Sequence, residues 1–139
     1  MTSQLNVDTI VDKAGSGGSN VKMANTSTYV SDGGAVTQNT VQGLAKAWNK
    51  FQGDAGSISV DDSFNASSLE DVGTGEYRSI YTNNMNNDDY AHSVSSAFFS
   101  GVGSDTDTTT SRIRYFNANA SGTLADSKEM ALIIMGDLA

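Results

Sequence analysis

Apolar and polar residues alternate with a two-residue period along much of this chain, the pattern of extended strands with one covered face. In EYRSIYT, residues 76–82, Tyr77, Ser79 and Tyr81 fall on one side and Arg78, Ile80 and Thr82 on the other. The preceding SSLEDV is separated from it by Gly73-Thr74-Gly75, so the pair reads as a hairpin. SRIRYFN sets Arg112, Arg114 and Phe116 against Ile113 and Tyr115, and SISVDDSFN alternates Ile58, Val60 and Phe64 with polar residues. AHSVSSAFFSG reads as one β-type run of mostly small residues. In the final KEMALIIMG both alternating sets are apolar, Met130, Leu132 and Ile134 against Ala131, Ile133 and Met135, which predicts a strand covered on both faces. LAKAWNKF is ambiguous, because Leu44, Trp48 and Phe51 are also spaced like one face of a helix.

The first third of the chain has a different texture. Leu5, Val7, Thr9 and Val11 share one side of an extended segment, with Asn6, Asp8 and Ile10 opposite, and GSGGS follows at 15–19. Short extended pieces at Val21–Met23 and Thr28–Val30 are separated by Ser31-Asp32-Gly33-Gly34. None of these pieces can close a core. The expected organisation is therefore an N-terminal arm and connector, residues 1–43, and an all-β domain, residues 44–139, built as an antiparallel β-sandwich of seven or eight strands.

Composition narrows the function classes. The formal charge of −8 opposes binding to a phosphate backbone, so no nucleic acid is expected as partner. Among the 139 residues there is no Cys, which removes disulfides, thiolate nucleophiles and thiolate metal sites. With no Pro either, Gly, Asn and Asp must make the turns. No apolar run approaches the roughly 20 residues of a membrane-spanning helix, and no membrane insertion is expected. An apolar fraction of 37% is low for a deep core and favours thin sheets completed by oligomerisation.

Candidate chemistry is sparse. His92 is the single histidine and no GxSxG elbow accompanies it, so a hydrolytic triad is not expected. Asp61-Asp62 and Glu70-Asp71 are adjacent pairs, whose members point to opposite faces of a strand rather than across a groove as glycoside cleavage requires. Asp88-Asp89 with Asp105 and Asp107 offers hard oxygen ligands, yet lacks the glycine and bidentate glutamate of a calcium loop, so no metal and no cofactor are expected. Tyr77, Tyr81, Tyr90, Tyr115 and Trp48 would stack on sugars only if exposed together, and core packing is the commoner fate of strand aromatics. Polar loops at 83–90 and 101–111 are better placed for recognition, with Asn84, Asn86, Asn87, Asp88, Asp105 and Asp107 as receptor-facing candidates.

Several of these tracts have a familiar order and spacing: SQLNVDTIVDKAGSGG, KAW followed by Phe51 and Gly-Asp-Ala-Gly, SISVDDSFNASSLEDVGTGEY, DDYA, and SRIRYFNANASGTLADS leading to MALIIMG. Together they resemble tail-fibre-like and other virion structural proteins of marine tailed phages, including cyanophages. Lys50 and the polar IYTNNMNN tract depart from that pattern. The resemblance implies a non-enzymatic virion component, a homotrimer made in the host cytoplasm and carried on the particle exterior. Its arm residues Leu5, Val7, Thr9, Ile10 and Val11 would join subunits or attach to other virion proteins of tail or capsid, and its outer loops would meet a host surface glycan. The first expectation is a short tail-fibre-like appendage for host attachment. A capsid decoration or head-fibre protein is the alternative, and a glycan-cleaving enzyme a third.

Overall fold

The computed structural model describes residues 28–30, 37–54, 57–103 and 107–139. The arm residues Leu5, Val7, Thr9, Ile10 and Val11, the Val21–Met23 piece and Asp105 lie outside the described residues. The chain divides into two units after Val41. In the first, β1 (Thr28–Val30) and β2 (Thr37–Asn39) form an antiparallel hairpin, Thr28 opposite Asn39 and Val30 opposite Thr37.

Among its described residues the second unit, Gln42–Ala139, contains eight strands. They are β3 (Ala45–Gln52), β4 (Ser59–Phe64), β5 (Ala66–Gly73), β6 (Glu76–Tyr81), β7 (Ala91–Ser96), β8 (Phe99–Val102), β9 (Arg112–Ala118) and β10 (Met130–Met135). Every pairing is antiparallel, and no α-helix occurs among the described residues. Two four-stranded sheets result, ordered β4-β3-β10-β7 and β5-β6-β9-β8. We call them the first and second sheets.

Their facing sides meet in one core. Ala47 and Phe51 of β3 and Met130, Leu132 and Ile134 of β10 pack with Tyr77 and Tyr81 of β6 and Ile113 and Tyr115 of β9. Phe51 sits edge-on to Tyr77 at 5.0 Å and to Tyr115 at 6.1 Å between ring centroids, the geometry that brings a positive ring edge to a negative face. Polar atoms inside the core are paired across it. Asn49 Nδ2 donates to Ser79 Oγ at 3.0 Å and Tyr115 Oη donates to Asn49 Oδ1 at 3.4 Å, so the polar members of β3 and β6 hold the sheets in register.

Two local features set the turns at either end of β5. Asn65 takes the left-handed conformation (φ 54°) between β4 and β5; its amide donates to the Lys46 and Asn83 carbonyls and accepts from Asn83 N–H at 2.7 Å. The β5–β6 turn needs Gly75, at φ +69°, because a Cβ there would come within 2.5 Å of the Asn117 carbonyl oxygen.

The strand reading of LAKAWNKF prevails over the helical one: Phe51 points into the core, whereas Trp48, three residues earlier, shares the opposite face with Ile133 beside it on β10. β10 differs from expectation. Met130, Leu132 and Ile134 are buried, but Ile133 and Met135 are 49% and 41% exposed, so only one face of this strand is covered. The AHSVSSAFFSG run also differs, because it breaks at Ala97-Phe98 and its halves join different sheets.

Candidate interaction surfaces

Five side chains considered for sugar stacking separate into two environments. Tyr77, Tyr81, Tyr90 and Tyr115 are buried, which removes them as a recognition surface, and Trp48 alone is partly exposed. Burial pushes the tyrosine hydroxyls above their ordinary 10, because an ionised phenolate loses its hydration there. Tyr77 is raised to about 12. The hydroxyls are nevertheless bonded: Tyr81 Oη donates to Tyr90 Oη at 3.0 Å, while Tyr90 Oη lies 3.0 Å from the Thr109 carbonyl and 3.1 Å from that of Arg112.

The outer face of the second sheet gathers all three arginines of the chain. Arg78 of β6 lies directly opposite Arg114 of β9, and Arg112 is opposite Ile80. Such like-charge neighbours need compensation. Asp107 supplies it from the loop: Arg114 Nη1 is 2.9 Å from Asp107 Oδ2, and Arg78 Nη2 and Arg112 Nη2 are 3.5 and 3.8 Å from Oδ1. Glu70 pairs with Arg78 at 2.9 Å and Glu76 with Arg114 at 2.8 Å. The hydrogen bond from Arg114 and the surrounding guanidinium charges hold the Asp107 carboxyl below its ordinary 3.8. At 16% side-chain exposure Asp107 is turned onto the sheet rather than toward solvent.

On the outer face of the first sheet the cross-strand row is Phe64, Trp48, Ile133 and Ser93. Phe64 is 51% exposed, and Met135 and Ala91 extend the row along β10 and β7. Ala91, Ser93, Ile133 and Met135, with His92, line an almost wholly apolar hollow of about 120 Å³. The charged part of the face lies beyond Lys50, which is 3.7 Å from Asp61 and 3.8 Å from Glu129.

The loop candidates Asn84, Asn86, Asn87 and Asp88 are exposed. Between them Met85 is buried and ties the tract down: Met85 N–H donates to the Thr110 carbonyl at 2.7 Å, Asn86 N–H to Asp137 at 2.8 Å, and Met85 bridges to Leu138. A single methionine amid NNMNN was the available signal for that anchor, because a lone apolar residue in a polar tract has something to cover. His92 is exposed on β7 and shares a cleft of about 500 Å³ with Asp88, Asp89, Tyr90, Val102, Gly103 and Thr108. The carboxylates of Asp61 and Glu70 are engaged with Lys50 and Arg78 on different sheets and do not face each other across a groove. Among the described residues no three acidic or histidine side chains converge on a point that could hold a metal ion.

Comparison with known proteins found no matching family model, no similar curated protein and no similar solved structure.

Proposed function

We propose that this chain is a structural, non-enzymatic subunit of a phage virion, a short tail-fibre-like appendage protein. In this reading residues 44–139 form a β-sandwich carried on the particle exterior. Residues 1–43 join three copies to one another and to other virion proteins. Asn84, Asn86, Asn87 and Asp88 then belong to the surface that meets a host glycan.

One observation carries the reading toward assembly: Phe64, Ile133 and Met135 are 51%, 49% and 41% exposed on one sheet face of a strongly acidic chain. A contiguous apolar strip rimmed by charge is the usual mark of a protein contact surface. The order of the SQLNVDTIVDKAGSGG, SISVDDSFN and MALIIMG tracts supports the virion assignment.

Sedimentation equilibrium of the purified chain should give three times its 14.5 kDa mass. Immunogold labelling of purified virions should then place tens of copies on the tail. Hundreds of copies spread over the head would select the capsid decoration or head-fibre reading instead. A monomer at all concentrations together with unlabelled virions would overturn both. Release of reducing ends from host polysaccharide would make the chain an enzyme.

A further inference from the structure

Antiparallel sheets leave edge strands whose backbone groups can recruit another chain, and proteins block them with charge, irregular register or shortness. The four edges of the two sheets are guarded unequally. β4 carries Asp61 and Asp62, and its register with β3 breaks at Lys50/Phe51. β5 carries Glu70 and Asp71 and has two register shifts against β6. β8 is only four residues long and includes Gly101. β7 has none of these devices. Its six residues, AHSVSS, contain no Asp, Glu, Lys, Arg or Pro, and they run in unbroken register with β10 from Ala91 opposite Met135 to Ser96 opposite Met130.

One part of β7 is closed by its own neighbour, because Ser100 Oγ donates to the Val94 carbonyl at 3.2 Å. Beside the Ala91–Ser93 part lies the apolar hollow floored by Ile133 and Met135. An added strand would place alternate side chains next to Ala91 and Ser93, both small enough to let a larger residue lean over them onto Ile133.

We infer that the free edge of β7 is a strand-acceptor site, and that its occupant is the Leu5–Val11 segment of a second copy of this chain, paired antiparallel. The inference rests on the reading of the N-terminal residues as a connector between subunits. Segment and site match in two respects. Leu5, Val7, Thr9 and Val11 recur every second position, so one side of the segment extends the outer apolar face. Charge selects both edge and direction. Asp8 would be repelled by Asp61 and Asp62 on β4 and by Glu70 and Asp71 on β5, whereas β7 itself carries no carboxylate and its nearest ones, Asp88 and Asp89, lie just before Ala91. Antiparallel pairing with Val11 beside Ala91 brings Lys13 to Asp89, just before β7; the parallel arrangement carries Lys13 to the far end.

The absence of native cysteine allows a direct test by crosslinking. Full-length Val11→Cys protein is mixed with full-length Ala91→Cys protein under mild oxidation. A reducible covalent dimer of the two should form in good yield, because facing strand positions bring Cβ atoms near disulfide distance. Pairing of Val11→Cys with Ser59→Cys on β4 or Ser68→Cys on β5 should give only traces, and equal or greater yield there overturns the site. A double variant, Val11→Cys with Ala91→Cys, that closes within one chain overturns the second copy as occupant.

Ser93→Lys with Ser95→Lys places charge on the exposed face of this edge and should weaken self-association about tenfold or more while leaving the far-ultraviolet spectrum unchanged. Removal of residues 1–14 separates the two levels of inference. If that truncation abolishes association and the double lysine variant associates normally, the N-terminal connector stands and β7 is the wrong acceptor. If the truncated chain still associates like the parent, the connector reading itself fails.

Discussion

The two outer faces of the β unit solve the same problem in opposite ways. On β6 and β9 the exposed side is heavily charged, but each charge has an internal answer: three arginines meet Asp107, Glu70 and Glu76 within 2.8–3.8 Å. On β3, β4 and β10 the exposed side holds half-buried Trp48 and the more exposed Phe64, Ile133 and Met135, which the described residues cover only in part. A face whose charges are already paired within the chain gains less from a partner, since contact would desolvate ion pairs that need no further counter-charge, although Arg78 Nε and Arg112 Nε are buried there without a hydrogen-bond partner among the described residues. An apolar face gains roughly 25 cal/mol for each square ångström removed from water. The difference teaches where to look for assembly: beside β10, not beside β9.

Substitutions can sharpen or break that contrast. The largest loss belongs to neither outer face. Phe51→Ala removes the ring packed against both Tyr77 and Tyr115 and should cost about 3–5 kcal/mol in urea unfolding. Asn49→Ala should cost about 1–3 kcal/mol by the same measurement, because Ser79 Oγ and Tyr115 Oη lose their partner inside the core.

Asp107→Asn comes next and is read through pH. Because the folded carboxyl titrates below its ordinary 3.8, its stabilising effect is full above that value and is lost as pH falls through the lower folded value. Midpoint temperatures of the parent should therefore drop on acidification below about pH 4 more steeply than those of the variant. Equal slopes would mean that the arginine cluster does not depend on this loop. At the alkaline end the sign reverses. Tyr77 is raised to about 12, so its contribution is complete below 10 and disappears as pH climbs toward 12.

The smallest change in folding stability is expected for Ile133→Ser, within about 0.5 kcal/mol for the dilute chain, because that side chain is half in water. A core-sized loss there would show that the first sheet's outer face is covered in the folded chain and would dissolve the contrast.

Strand periodicity revealed much of the interior. Tyr77, Ser79 and Tyr81 alternate with Arg78, Ile80 and Thr82, and Ile113 and Tyr115 alternate with Arg112, Arg114 and Phe116; in each case the first-named set turns inward. Alternation failed where both sets are apolar, since MALIIM predicts two covered faces and the described residues fully cover only one. The three-residue spacing of Trp48 and Phe51 fits either a helix or a strand, and only pairing with β10 settles that they point apart. The arginine cluster was harder to see. Arg78 and Arg114 become neighbours through the β6–β9 register, a relation between positions 36 residues apart, and the compensating Asp107 lies in a loop whose composition suggests only solvation. Carboxylates in polar tracts are ambiguous until their spatial neighbours are known.

The Met85 anchor separates two demands that a display surface usually places on the same residues. Folding requires the buried Met85 side chain and the backbone bonds to Thr110 and Asp137, whereas Asn84 and Asn86 on either side of it are exposed, and Asn87 accepts from Asp89 N–H at 3.0 Å. Diversifying Asn84 and Asn86 while keeping methionine between them would change the chemistry of this surface without altering the scaffold beneath, as a lock can be rekeyed without replacing the door.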